Sequence, residues 1–163
     1  LIALAARQAG AAEITIFDLA AKPLAIAEQI GVDRALQLGG GDDPLKPFEA
    51  AKGSFDIAFE ATGAAAALAN LPRITRPGGT IIQIGMLPTG EVGLAVNLLM
   101  AKEIDYRGSF RFRDEYGMAV DFLTSGKVDV TPLITDSYAI DDADAAFATA
   151  ADRERSIKVQ LVF

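Results

Sequence analysis

Strand and helix signals alternate along the first half of this chain, and that alternation restricts the fold more than any single residue does. Ile14 to Phe17 is a β-branched and aromatic run that stops at Asp18. A helix is predicted from about Lys22 to Ile30, with Leu24, Ala25, Ala27 and Ile30 on its apolar face and Gly31 as its stop. A weaker strand, Arg34 to Leu38, leads through three glycines and Pro44 to a short helix near Leu45 to Ala51, then to the strand Phe55 to Phe59. The run FDIAF is nearly all apolar, as suits a central strand of a parallel sheet covered on both faces. A helix over about Ala64 to Ile74, a turn at Arg76-Pro77-Gly78-Gly79 and a strand from Thr80 to Ile84, closed by Gly85, continue the rhythm. Strands and helices that alternate in this way form a doubly wound α/β fold around a parallel sheet.

After Gly85 the rhythm changes. Leu94 to Lys102 is apolar with no clear period, Ile104 to Phe110 alternates like a strand, and a helix is predicted over Glu115 to Thr124. A second alanine-rich helix, Asp141 to Ala151, takes Asp141 or Asp142 as its cap, and the chain closes on the alternating strand Ile157 to Phe163. At the other end, Leu1 to Gln8 is helical and stops at Gly10.

The chemistry open to the chain is narrowed by what it lacks. With no cysteine and no histidine, thiolate nucleophiles, disulfides and the commonest metal ligand and general base are excluded. Catalysis from within these 163 residues would fall to carboxylates, Lys, Tyr, Ser or Thr. Fifteen basic against 22 acidic residues, with Arg107, Arg111 and Arg113 scattered, argue against a nucleic-acid partner. No apolar stretch approaches the roughly 20 residues needed to cross a bilayer, and no signal-peptide pattern opens the chain, so a soluble cytoplasmic protein is expected.

Asp18 is the sharpest candidate for function. An acid at the end of the second strand of a dinucleotide-binding βαβ unit accepts hydrogen bonds from the ribose hydroxyls and repels a 2′-phosphate, which favours NAD over NADP. Its other reading is a helix N-cap. Ala61, Thr62 and Gly63 follow the strand at 55–59, at the carboxyl edge where ligands bind in doubly wound folds; there Thr62 offers a hydroxyl and Gly63 close approach. The other reading is an ordinary strand-to-helix turn. Ile84, Gly85 and Met86 end the next strand at the same edge. The acids Asp141, Asp142 and Asp144 complement a helix N-terminus and do not form a metal site.

Several motifs in order carry a family resemblance. They are the strand ending at Asp18 with Ile30-Gly31-Val32-Asp33 after its helix, Phe55 to Gly63 (FDIAFEATG), Arg76-Pro77-Gly78-Gly79-Thr80 before a strand ending at Gly85, Gly108-Ser109-Phe110-Arg111, and Ser156-Ile157-Lys158-Val159. Together they resemble the cofactor-domain half of the zinc-dependent medium-chain alcohol and polyol dehydrogenases, most of all the sorbitol and L-idonate dehydrogenase branch. The resemblance implies a Rossmann-type sheet over residues 1–110, and a segment 111–163 that returns to the catalytic domain. The chain opens at Leu1 inside a helical run. It therefore reads as N-terminally truncated, with the first strand, the Gly-rich phosphate loop and the zinc ligands upstream, so that no catalytic residue lies in this chain and the chain alone is inactive.

By the same resemblance, Asp18, Leu19 and Lys22 meet the adenosine. Lys22 stands one place before the family's usual arginine position, which here is Pro23, so some use of NADP stays open. Ala61, Thr62 and Gly63 contact the cofactor, Ile84, Gly85, Met86, Ser109, Phe110 and Arg111 flank the nicotinamide, Arg111 also holds substrate, and Lys158 lies near the pyrophosphate. Met86 to Asn97, too apolar for a solvated loop, becomes a subunit interface of a homodimer or homotetramer; a flap over the monomer's own core is the alternative. The implied activity is hydride transfer between a secondary alcohol of a polyol or sugar acid and NAD(P), with zinc as a further cofactor of the whole enzyme. Two other readings are a non-catalytic NAD-sensing module and a zinc-independent NADPH quinone or enoyl reductase, which Asp18 opposes.

Overall fold

The computed structural model describes residues 1–112 and 114–163, so Arg113 lies outside the described residues. In chain order the elements are α1 (Ile2–Gln8), β1 (Thr15–Asp18), α2 (Ala21–Gln29), β2 (Arg34–Gln37), α3 (Lys46–Ala50), β3 (Phe55–Glu60), α4 (Ala65–Ile74) and β4 (Thr75–Gln83). They continue with α5 (Val96–Ala101), β5 (Asp105–Gly108), α6 (Glu115–Thr124), β6 (Ile134–Ala139), α7 (Ala143–Ala151) and β7 (Lys158–Val162). All the paired strands are parallel: β1 with β2, β3 with β4 with β5, and β6 with β7. This is the mixed α/β architecture of a Rossmann-type cofactor domain. The chain divides into two compact units, the first Leu1–Pro44 with the described chain after Phe112 and the second Leu45–Phe112.

In the first unit, α2 crosses from β1 to β2 and packs on both strands, with Leu24 and Ala27 buried. Gly31, at φ +83°, ends the helix in the left-handed region where glycine avoids the steric cost of a Cβ. The strand then enters beside Ile14: the Asp33 carboxylate accepts from Ile14 N at 2.7 Å and pairs with Arg7, whose Nη1 also donates to the carbonyls of Ala11 and Ala12. The Ile14 N–H first, then the Arg7 hydrogen bond, hold the Asp33 carboxyl below its ordinary range. A second crossover, β6–α7–β7, is fastened by a 2.7 Å hydrogen bond between the Tyr138 and Thr149 hydroxyls, and by the buried Ser156 hydroxyl donating to Thr149 O.

The second unit is a three-stranded sheet with α4 packed on β3 and β4. Buried Leu68, Pro72 and Ile74 line the inner face of α4, while Ile81 of β4 is fully enclosed. The expected turn at Arg76-Pro77-Gly78-Gly79 is instead part of β4. Phe55 pairs with Thr75 but Ile57 pairs with Thr80, so the four residues between Thr75 and Thr80 bulge out against a single residue of β3. Gly79 is required there, because a Cβ would stand 2.7 Å from Thr75 Cγ2 and 2.9 Å from Arg76 O. Lys102 closes the adjoining helix end, its ammonium donating to the carbonyls of Pro72, Arg73 and Thr75 at 2.8–2.9 Å.

Two further expectations change. β3 is not covered on both faces: Ala58 and Glu60 are buried, but Ile57 is 52% and Phe59 37% exposed. The ambiguous run at 94–102 resolves as the short helix α5, and β5 is exposed along its length.

Candidate functional site

Parallel strands deliver their carboxyl ends to one edge of a sheet, and in the second unit three segments meet there around one acid. Glu60, the last residue of β3, is 1% exposed. Its Oε1 accepts from Thr62 N at 2.8 Å, from the Thr62 hydroxyl at 2.5 Å and from Gly63 N at 3.1 Å. Its Oε2 accepts from Gly63 N at 3.1 Å and from Gln83 Nε2, at the end of β4, at 2.7 Å. Burial raises the carboxyl's pKa; the Thr62 hydroxyl, the Thr62 and Gly63 N–H groups and the Gln83 amide outweigh it, so the group sits below its ordinary value and is ionised at neutral pH. No basic side chain within ion-pair distance balances it among the described residues.

The backbone repeats the same junction. Ile84 N and Gly85 N both donate to Glu60 O, at 2.8 and 3.0 Å, and Gln83 Nε2 also donates to Gly85 O at 2.6 Å. Gly85 is packed so tightly that a Cβ would lie 2.3 Å from Gly63 N and 2.5 Å from Glu60 Oε2. Gly63, at φ +73°, would bring a Cβ within 2.3 Å of Met86 O. Ser109 N donates to Gln83 O, and the Tyr106 hydroxyl to Gln83 Oε1, which ties the end of β5 to the cluster. Thr62, Gly63, Ile84, Gly85 and Ser109 thus belong to one hydrogen-bonded edge, with Ala61 next in the chain to Glu60 and Met86 O packed against Gly63. The hydroxyl of Thr62 has both its roles filled, donating to Glu60 and accepting from Ala64 N, so it is not the open donor expected from the sequence.

Beyond Ser109 the chain reaches Phe110, 73% exposed, with the Arg111 guanidinium 5.1 Å from its ring centroid. Arg111 has φ +61°, a left-handed backbone uncommon for a residue with a Cβ. Met86 is 80% exposed, and the segment from Ile84 to Ala95 contains no strand or helix.

In the first unit, Asp18 ends β1 and is half-buried. Its Oδ1 accepts from Ala20 N at 2.9 Å, an Asx-type turn. The N-cap of α2 is Ala20, with no side-chain cap bond, so the capping reading of Asp18 gives way to this tighter turn. Among the described residues no hydrogen bond reaches Oδ2. The neighbouring strand braces the turn: Leu38 N donates to Asp18 O, and Gln37 Nε2 to Leu19 O at 2.9 Å. Leu19 is 70% exposed and Lys22 half-buried on the first turn of α2. Lys158, the first residue of β7, is exposed opposite Ile134. Asp142 holds the N-cap position of α7 without a side-chain cap bond. No helix is long and apolar enough to cross a membrane among the described residues.

The sequence matches the description "Zinc-binding dehydrogenase" over residues 1–125. This chain belongs to the zinc-binding dehydrogenase family. Within the family it is similar to L-idonate 5-dehydrogenase (NAD(P)(+)) of Escherichia coli K12, 34% identical over all of this chain and 47% of that protein. It is 32% identical to sorbitol dehydrogenase of Arabidopsis thaliana over 96% of this chain and 44% of that enzyme. The crystal structure of L-idonate 5-dehydrogenase from Escherichia coli K-12 superposes with a TM-score of 0.90 at 33% identity, over 99% of this chain and 46% of that one. The chain therefore spans about half the length of the curated relatives it matches.

The family's zinc finds no ligand set in these residues. The sequence has neither Cys nor His, and no group of three or more Asp or Glu side chains could hold an ion among the described residues. In the first unit, Asp18 offers a nucleotide's hydroxyls a carboxylate oxygen that no hydrogen bond reaches among the described residues, while Gly63 and Gly85 in the second unit are required by close packing against Met86 O, Gly63 N and Glu60 Oε2. Sequence reasoning missed Glu60 and Gln83. The signal was a charge closing the apolar run Ile57-Ala58-Phe59, directly before Ala-Thr-Gly.

Proposed function

We propose that this chain supplies the dinucleotide-binding part of an oxidoreductase that moves a hydride between a secondary alcohol of a polyol or sugar acid and NAD(P). The observation that carries the reading is likeness along the whole chain, in sequence and in fold, to L-idonate 5-dehydrogenase (NAD(P)(+)). When bound, the nicotinamide ring supplies the hydride chemistry. What these residues contribute is binding and orientation.

In the first unit, the open oxygen of Asp18 accepts hydrogen bonds from the adenosine ribose, with Leu19 and Lys22 beside it and Lys158 toward the pyrophosphate. A carboxylate in that place disfavours a 2′-phosphate, so NAD is preferred and NADP tolerated. In the second unit, Ala61, Thr62, Gly63, Ile84, Gly85, Met86, Ser109 and Phe110 form the nicotinamide side, through backbone more than side chains. Arg111 offers a planar fork of donors to a carboxylate or polyol hydroxyl of the substrate. Residues 1–110 form the cofactor domain and 111–163 a segment of the catalytic domain; zinc is held by residues other than these. The apolar segment Met86 to Asn97 serves a homodimeric or homotetrameric interface in a cytoplasmic enzyme.

The test is a titration of the full-length protein with NADH and NADPH, followed by initial rates with L-idonate, sorbitol and xylitol. Binding of NADH in preference to NADPH and NAD-linked oxidation of one of these alcohols are expected, while the 163-residue chain alone gives no turnover. Failure of the full-length protein to bind either dinucleotide would overturn the proposal.

A further inference from the structure

We propose that Glu60 is a positioning residue for the nicotinamide side of the site, an ionised clamp that holds the turn at 61–63 and the strand end at 83–85 in the one arrangement a ring can lie against. The assignment rests on the functional reading above but not on any residue in it touching substrate. Glu60 does not face a ligand: at 1% exposure its carboxylate is enclosed by four donors, Thr62 N, the Thr62 hydroxyl, Gly63 N and Gln83 Nε2.

Three features require the charge and not merely the volume. First, all four donors point inward at one carboxyl group, and an amide in its place would set its own N–H₂ against at least one of them. Second, no cation balances it among the described residues, so the anion is held by neutral dipoles whose directions are fixed by the fold of the two loops. Third, the loops it joins have no slack. Gly85 lies so near Gly63 N and Glu60 Oε2 that no other residue fits, and Gly63 is in the left-handed region against Met86 O. Charge, turn and glycines determine each other's positions. Through Gln83, which accepts from the Tyr106 hydroxyl and from Ser109 N, the clamp also sets where β5 ends.

The decisive variant is Glu60→Gln, which keeps the volume and one acceptor and removes only the charge and the second acceptor. The first arm needs no cofactor. Amide hydrogen exchange in the full-length protein is expected to accelerate at least about tenfold at Thr62 and Gly63 while Ala58, in the body of β3, is unchanged. Equal exchange at Thr62 and Gly63 in the two proteins overturns the clamp. Should Glu60→Gln not fold, Thr62→Ala removes one of the four donors to Glu60, together with the acceptor of Ala64 N, and is expected to give an increase of about threefold at Gly63; no increase there overturns it equally.

The second arm is NADH titration. Glu60→Gln is expected to raise the Kd about tenfold with the NADH-to-NADPH preference unchanged, since that preference belongs to Asp18. An unchanged Kd overturns the link from clamp to cofactor. Absence of dinucleotide binding by the wild type overturns the functional reading and the cofactor half of this proposal together, whereas the exchange arm still decides the clamp by itself.

Discussion

Two acids end two parallel strands of this protein, and their surroundings give them opposite work. Asp18 closes β1 half-buried, engages one backbone N–H through Oδ1 and keeps its other oxygen unengaged among the described residues. Glu60 closes β3 almost fully buried, with both oxygens occupied by donors from its own turn and from the neighbouring strand. A carboxylate at a strand end is therefore not in itself a ligand contact. What decides is how many donors the protein supplies: one leaves the acid available to a ligand, four consume it.

The comparison is broken most forcefully by removing each acid in turn. Glu60→Leu would leave the Thr62 and Gly63 N–H groups without their acceptor and the Gln83 amide with Gly85 O alone, at a part-buried junction, and a loss of about 2 kcal/mol in urea unfolding of the full-length protein is expected. Asp18→Ala removes a partly exposed turn contact, and should lose less than about 1 kcal/mol in the same assay. Comparable losses would show that the two acids do the same kind of work.

Binding reverses the order. Asp18→Ser is expected to weaken NAD binding about tenfold and move the preference toward NADP, a change read as paired dissociation constants. Unchanged constants for both cofactors would remove Asp18 from the ribose.

Smaller is the effect at the far end of α4, where a cation does what the anion does at the end of β3. Lys102→Met deprives the carbonyls of Pro72, Arg73 and Thr75 of their shared donor, and about 1 kcal/mol should be lost in urea unfolding. The least effect is expected in the pH dependence. Because the folded-state pKa of Glu60 lies below its unfolded value, its contribution is complete above the ordinary glutamate range and is lost as the pH falls through the folded value. Asp33, Asp56 and Asp129 act in the same direction from the surface. Glu60→Gln should therefore flatten the acid limb of a stability–pH curve without moving its neutral plateau relative to other variants of equal stability.

Much of the fold was legible because strand and helix periods are local. The runs at 14–18, 34–38, 55–59 and 115–124 fell within a residue or two of the observed β1, β2, β3 and α6, and the glycine stops at Gly10 and Gly31 adopt the positive φ their placement implied. The bulge in β4 was not legible. Arg-Pro-Gly-Gly has turn chemistry, and only the pairing of Phe55 with Thr75 ahead of it makes those residues part of a strand. The site divides in the same way. Asp18 was singled out because a strand-terminal acid is a local pattern, and its contact with ribose is the proposal made above, whereas Glu60 stood one residue past the predicted end of its strand. Its partner Gln83 is 23 residues distant in sequence.

By itself the sequence determined the α/β alternation, the family, and the exclusion of thiol and imidazole chemistry from these residues. Each follows from residue type and short spacing. Only the tertiary structure decided which strand-end acid is open to a ligand and which is enclosed. Donor number depends on what parallel pairing brings alongside each strand end, and that pairing joins residues no local pattern connects.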